Sequence, residues 1–160
     1  MLFRSPLPAT RFSRLDVERL AKAVGVIARA RPDAGPAAAR LLARLLETRA
    51  YAAGPAVALH GDTNLRNAIL DGDRVTLIDF EDAAAGPAAA DLGQTLARAG
   101  AGAALQAALL DGYASVRPAP GEAALRWHTG ACVLARLALP AVSRFRPAVL
   151  ARLRELLEAA

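Results

Sequence analysis

Several residue types are scarce in this 160-residue chain. It contains one cysteine, Cys132, and two histidines, and aromatic residues make up 4% of the total. A single cysteine excludes a disulfide within the chain and fits a reducing, cytoplasmic setting. Because Cys132 lies inside a helical apolar pattern, we expect it to be buried by packing rather than to act as a nucleophile. Lys22 is the only lysine, so the other basic residues are arginines.

Long hydrophobic runs are also missing. The best candidate, 131–142, is short and is interrupted by Arg136, and the first ten residues lack the apolar region of a signal peptide. We therefore expect no membrane segment. The formal net charge is +5, but the arginines are scattered at helical spacing and few aromatics are present for base stacking. We therefore expect no dedicated nucleic-acid binding either.

What the sequence does contain is helical periodicity. Hydrophobic residues make up 54% of the chain, enough for the core of one domain. Apolar stripes and Pro or Gly breaks predict helices over 16–31, 37–53, 87–99, 103–115, 122–139 and 146–159. Between the second and third, residues 67–80 change to two short β-rich segments around an Asp-Gly turn, which predicts a hairpin. The expected class is mainly α (α+β), with one small β-hairpin.

Polar side chains cluster at the open end of this predicted hairpin. Asp62 precedes the first strand, Asn67 opens it, and Asp79 ends the second. Because antiparallel strands joined by a tight turn bring their outer ends together, these residues should be neighbours. Oxygen ligands of this kind suit Mg²⁺, and a separate carboxylate can accept a proton from a substrate hydroxyl. Asp and Asn are also common turn residues, which is how we interpret Asp71 and Asp73.

The motif extends beyond the hairpin. "HGDTNLRNAIL", followed by "VTLIDFEDAAAGPAAADL", resembles the catalytic segment of the aminoglycoside phosphotransferase and choline kinase-like family. Its pattern is H-G-D-x-x-x-x-N, a short hairpin, I-D-[FW] and a downstream G…D-L. The resemblance implies the helical C-terminal lobe of a protein-kinase-like fold. It also implies a kinase that moves the γ-phosphate of ATP or GTP to a hydroxyl of a small molecule.

Residue roles follow from this resemblance. Asp62 would be the catalytic base, and Asn67 and Asp79 would hold the Mg²⁺ bound to the nucleotide phosphates. Support of the catalytic loop is implied for three residues: His60 by hydrogen bonds, Asp91 as an anchor at a helix start, and Gly86 by allowing a turn.

Four further residues lie near this motif or on a later helix. For Glu81 and Asp82 we favour a solvated loop over the edge of the metal site. For Trp127 and His128 we favour packing over an acceptor pocket.

The nucleotide-gripping half of such a kinase is not recognisable. The residues before His60 read as helix, contain no Gly-rich phosphate loop, and place Lys22 on a helix rather than on a strand. We interpret 1–13 as an unstructured or non-native start, within which "LFRS" resembles a translated sequencing adapter. Residues 14–160 would then be the C-terminal lobe, with the catalytic segment at 59–92 and the N-terminal lobe absent. Either the chain is a natural single lobe or, as we favour, it is a poorly active fragment of a longer enzyme.

Two other functions stay open on the sequence alone. A non-catalytic helical interaction module derived from a kinase would fit the missing lobe. A metal-dependent phosphohydrolase would need more His or Asp ligands than the chain offers. The acceptor is not readable, although acids are sparse after Asp91, which argues against a cationic aminoglycoside.

Overall fold

The computed structural model describes residues 17–99 and 102–160, so the predicted start over 1–13 lies outside the described residues. Helices dominate the described part, and its strands form two small antiparallel sheets, which confirms the predicted mainly α (α+β) class. No helix in those two ranges is both long and apolar enough to cross a membrane.

Two packed helices come first. Helix α1 spans Val17–Ala30 and helix α2 spans Gly35–Glu47, with a proline in the first turn of α2, where a missing N–H costs nothing. Leu20 and Ile27 of α1 share one buried core with Leu41 of α2. Helix α2 ends earlier than predicted and gives way to a 3₁₀ turn over Arg49–Ala52. The helical spacing of apolar residues predicted both helices correctly, because each helix buries one apolar face.

Four short strands follow in two separate pairs. Their bounds are β1 Ala56–Leu59, β2 Ala68–Asp71, β3 Arg74–Leu77 and β4 Ala84–Pro87. Strands β2 and β3 form the predicted hairpin, in which Ala68 pairs with Leu77 and Asp71 pairs with Arg74. Gly72 occupies the two-residue turn with a φ of 56°, a conformation that glycine adopts at no steric cost. The local turn chemistry therefore predicted this hairpin correctly.

Two expectations about the strands are wrong. Gly86 was expected at a turn, yet it lies within β4 and pairs with Val57 of β1. The segment 84–87 has little intrinsic strand preference, so its pairing comes from tertiary context rather than from propensity. Asp79 was expected to end a strand, but β3 stops at Leu77 and Asp79 has a φ of 65°. That left-handed conformation is incompatible with a continuing strand.

Helices form the rest of the described chain. Their bounds are α3 Ala89–Ala99, α4 Ala103–Ala114, α5 Glu122–Cys132, α6 Leu139–Ser143, α7 Pro147–Leu150 and α8 Leu153–Glu158. The predicted helix over 122–139 changes to π-helix over Val133–Ala138. Helix α3 packs closely on α5, because a Cβ built on Gly93 would lie 2.7 Å from the Cβ of His128.

The β2–β3 hairpin stands apart from the core. Its apolar side chains are largely exposed: Ile69 at 51%, Leu70 at 74% and Val75 at 61%. The hairpin therefore owes its conformation to its turn and to the contacts at its open end, which lie beside the loop that precedes it.

Candidate active site

The loop over residues 60–64 is held by the first turn of α3. One carboxylate oxygen of Asp91, Oδ2, accepts the backbone N–H of His60 at 2.7 Å, and Oδ1 accepts that of Gly61 at 3.1 Å. The hydroxyl of Thr63 donates to the carbonyl oxygen of Asp91 at 2.8 Å. Burial raises the pKa of Asp91 above its usual value, and the two backbone amides oppose that rise. The residue predicted to anchor the loop thus contacts it three times.

Glycine is required at position 61 for two separate reasons. Gly61 has a φ of 83°, which L side chains rarely adopt. A Cβ at this position would also lie 1.9 Å from the carbonyl oxygen of Asp82 and 2.6 Å from its carbonyl carbon. The glycine of the H-G-D motif therefore lets the loop pack directly on the backbone that follows the hairpin.

His60 joins the loop to the end of the hairpin. The side chain is 6% exposed, and its Nε2 lies 2.9 Å from the carbonyl oxygen of Ile78. Its Nδ1 is 3.4 Å from the backbone nitrogen of Asp62, and its ring centroid is 4.4 Å from that of Phe80. These contacts call for the tautomer with its hydrogen on Nε2, and they place His60 as a structural link within the site.

Asn67 and Asp79 are brought to the same end of the hairpin. The side-chain amide nitrogen of Asn67 donates to the backbone carbonyl oxygen of Asp62 at 3.0 Å. The backbone N–H of Ile78 donates to the backbone carbonyl oxygen of Asn67 at 2.9 Å. Asp79 follows directly and is exposed. Because the Asn67 nitrogen is committed to Asp62, its amide oxygen is the atom left for a cation.

The chemistry of this donor pair fits Mg²⁺. One carboxylate and one amide oxygen are hard ligands, and Mg²⁺ commonly completes its shell with water and substrate phosphates. Within residues 17–99 and 102–160, no group of three or more His, Cys, Asp or Glu residues could hold a metal ion.

The carboxylate of Asp62 has partners that the sequence did not indicate. Its Oδ1 lies 2.9 Å from Arg98 of α3, 3.1 Å from Arg136 of the π-helical segment, and 3.0 Å from the amide nitrogen of Gln94. Its Oδ2 has a longer contact, at 3.4 Å, with Asn64. Three donors therefore fix one oxygen of Asp62, whereas the second oxygen has the single longer contact with Asn64 among the described residues.

Arg136 is unusual because it is charged within an apolar stretch. Burial lowers its pKa from the usual value, and the neighbouring carboxylates of Asp62 and Asp82 oppose that change, whereas the cationic Arg98 adds to it. The side chains of Asp62, Arg98 and Arg136 are about one-quarter exposed, at 28%, 25% and 26%. The cluster therefore reaches solvent at its rim while its charges are partly desolvated.

Two sequence signals could have revealed these partners. Asp91, Gln94 and Arg98 are spaced i, i+3 and i+7, which puts them on one face of a helix. Arg136 interrupts the apolar run 131–142. The first signal indicates that the residues sharing a helix face with Asp91 lie near the loop that Asp91 anchors. The second indicates a buried charge that needs a partner.

The other candidate residues pack or face solvent. Cys132 is fully buried, and burial raises the pKa of its thiol to about 11, so it is not a nucleophile at neutral pH. Trp127 donates to the carbonyl oxygen of Leu45 at 2.9 Å, and Nε2 of the buried His128 lies 3.1 Å from that of Ala52. Packing, rather than an acceptor pocket, therefore accounts for both. Three acids of the hairpin region, Asp71, Asp73 and Glu81, are exposed, whereas Asp82 is half-buried.

In this mainly helical chain, the fixed carboxylate of Asp62 lies beside Asn67, at the end of the hairpin where Asp79 follows. Residues 4–128 match the model of the phosphotransferase enzyme family, and the chain belongs to that family. The predicted relationship to aminoglycoside phosphotransferase and choline kinase-like proteins is thereby confirmed. Comparisons with curated proteins and with solved structures gave no match. Membership implies phosphotransferase activity in general.

Proposed function

We propose that the chain supplies the catalytic lobe of a kinase that moves the γ-phosphate of ATP or GTP to a hydroxyl of a small molecule. The observation that carries this proposal is the fixed position of Asp62. Asn67 binds its backbone, and three side chains bind its Oδ1. Catalysis of phosphoryl transfer is mainly positioning and charge neutralisation, so a rigidly held carboxylate is the part the chemistry needs.

In this proposal the two oxygens of Asp62 have separate tasks. With Oδ1 fixed, Oδ2 is the atom that orients the acceptor hydroxyl and takes its proton. The acceptor oxygen then bonds to the γ-phosphorus, and the bond to the bridging oxygen breaks with its electron pair leaving on the nucleoside diphosphate. Asn67 and Asp79 would hold Mg²⁺, which when bound neutralises negative charge on the phosphates.

A second lobe in cis forms part of this proposal. The described residues before β1 form helices α1 and α2 and a 3₁₀ turn. Kinase-type nucleotide lobes cover the phosphates with a Gly-rich loop on strands. We propose that another segment supplies this cover, and that the isolated chain binds Mg-nucleotide weakly and turns over little.

Nucleotide binding tests the metal ligands. Asp79→Asn removes the charge while keeping a residue that tolerates the left-handed φ of 65°. Asp73→Asn, in the exposed turn of the same hairpin, is the matched control. We expect Asp79→Asn to lower the affinity of the chain for Mn²⁺-ATP in a water-proton relaxation titration, and Asp73→Asn to leave it unchanged. Equal binding by both variants would refute the assignment.

Phosphate transfer tests Asp62. The assay follows ³²P from labelled ATP or GTP to a panel of hydroxyl compounds. It uses the chain and any longer polypeptide that contains it. Loss of a general base typically costs 10²- to 10⁴-fold, and we expect Asp62→Asn to show roughly that loss. Transfer at the wild-type rate by Asp62→Asn would show that the carboxylate is not the base. A longer polypeptide that contains the chain, and that neither transfers phosphate nor binds Mg-nucleotide, would favour a kinase-derived interaction module.

A further inference from the structure

We infer that Gln94 is a positioning residue, which sets the direction in which the carboxylate of Asp62 faces the acceptor hydroxyl. The inference rests on the proposed function, because it concerns the base of that same reaction. The side-chain amide nitrogen of Gln94 lies 3.0 Å from Oδ1 of Asp62 and 3.4 Å from the backbone carbonyl oxygen of Thr63. One amide group of α3 therefore contacts both the carboxylate and the loop that carries it.

The fold holds this amide in one place. Gln94 is fully buried, whereas the side chains of Arg98 and Arg136 are about one-quarter exposed. Side chains in a close-packed interior occupy defined rotamers, so the Gln94 nitrogen has a defined position. Asp91, one turn earlier on the same helix, binds the backbone of the loop. The donor on Gln94 and the loop that carries Asp62 are therefore fixed relative to each other.

The contact with Gln94 differs in kind from the two ion pairs. Attraction between opposite charges depends on their distance, and a carboxylate that turns can satisfy an ion pair through either oxygen. A neutral amide binds only along its N–H directions, and a hydrogen bond weakens steeply as its angle departs from linear. Arg98 and Arg136 therefore chiefly hold the charge of Asp62 in place, whereas Gln94 favours one orientation of the carboxylate.

Only one of the two amide orientations of Gln94 is compatible with these contacts. A flipped amide would place Oε1 beside Oδ1 of Asp62 and the carbonyl oxygen of Thr63, and neither of these atoms is a donor. In the observed orientation Oε1 is buried, and it has no hydrogen-bond partner among the described residues. A buried acceptor of this kind lowers stability, so stability alone does not account for a glutamine at this position.

Kinetics of phosphate transfer test the inference, using the chain and any longer polypeptide that contains it. Gln94→Met keeps the length of the side chain and removes both amide contacts. A misdirected base slows the chemical step, so we expect kcat to fall by roughly ten- to a hundred-fold. KM for the acceptor and the affinity for Mg-nucleotide should not change, because Gln94 contacts neither ligand in this proposal. Gln106→Met, the same change at the only other glutamine of the chain, is the matched control and should have no effect.

A double-mutant cycle with Asp62→Asn shows whether Gln94 acts through the base. Where the base is already lost, Gln94→Met should cause no further fall in kcat. Urea unfolding gives an independent readout. We expect the midpoint of Gln94→Met to be no lower than that of the wild type, because removal of the buried Oε1 offsets the loss of two hydrogen bonds. A lower midpoint together with an unchanged kcat would mark a purely structural residue and would overturn the inference.

The carboxyl ¹³C signal of Asp62 decides the matter if no turnover can be measured. It should move in Gln94→Met and stay in place in Gln106→Met, because only the first change removes a donor from Oδ1. An Asp62 signal that stays in place in Gln94→Met would overturn the inference, as would additive losses of kcat in the double mutant. The two proposals can fail separately. Transfer by Asp62→Asn at the wild-type rate refutes the base, whereas a wild-type kcat in Gln94→Met, with Asp62→Asn impaired, refutes the positioning role alone.

Discussion

The contact between Gly61 and the backbone of Asp82 makes a quantitative prediction for Gly61→Ala. A left-handed φ costs an L-residue about 1–2 kcal/mol. The added Cβ would also meet a carbonyl group at 1.9 Å and 2.6 Å, and overpacking of this kind typically costs about 1–3 kcal/mol. The two effects sum to a loss of roughly 2–5 kcal/mol in the free energy of unfolding. This is a large share of the roughly 5–15 kcal/mol that typically stabilises a domain.

Two other glycines separate the two contributions. Gly72 has a positive φ with nothing within 4 Å of a built Cβ, so Gly72→Ala should cost the conformational part alone, about 1–2 kcal/mol. Gly93 of α3 has a close neighbour, His128, and no positive φ, so Gly93→Ala should show the steric cost, reduced by the roughly 0.5–1 kcal/mol by which alanine favours a helix over glycine. Urea unfolding followed by the fluorescence of Trp127 measures all three. The reasoning fails if Gly61→Ala is no more destabilising than Gly72→Ala.

Two further predictions concern His128 and Cys132, the buried titratable groups of α5. Burial lowers the pKa of His128 from 6.5 to about 4, so the unfolded chain takes up this proton first as the pH falls. The associated stability is complete above pH 6.5 and decreases by up to about 3 kcal/mol as the pH falls towards 4. His128→Gln should lose this part of the pH dependence in urea titrations at pH 7.5 and 4.5, and an unchanged dependence would contradict the assignment. For Cys132, with its thiol pKa near 11, we expect negligible reaction with an aromatic disulfide reagent at pH 8 until urea unfolds the chain. Rapid labelling of the native protein would show that the thiol is accessible.

Features governed by neighbouring residues were predictable from the sequence. The hairpin follows from alternating β-formers around a glycine that can adopt a positive φ, and α1 and α2 follow from apolar stripes of helical period. The family relationship was predictable for a related reason. The polar residues of the loop and the hairpin all lie in one short segment, from His60 to Leu92, so their pattern can be recognised in the sequence.

Features that depend on distant partners were not predictable in the same way. The segment 84–87 becomes a strand only because β1 lies beside it, and its own residues carry no strand preference. Arg136 reaches Asp62 across 74 positions, a separation at which local periodicity carries no information. The spacing of Gln94 and Arg98 after Asp91 was visible, but its meaning depended on knowing that the loop lies on this face of α3.

The shared face of α3 makes the site depend on the rotational phase of one helix. Asp91 fixes the backbone of the loop, and Gln94 and Arg98 fix the carboxylate of Asp62 one and two turns later. Each residue advances a helix by about 100°, so inserting a single residue between Asp91 and Gln94 would turn the anchor and the carboxylate contacts to different sides. The conformation of the loop 60–64 and the orientation of the Asp62 carboxylate therefore both depend on α3. An insertion or deletion within α3 would separate the two sets of contacts without altering any residue of the H-G-D motif.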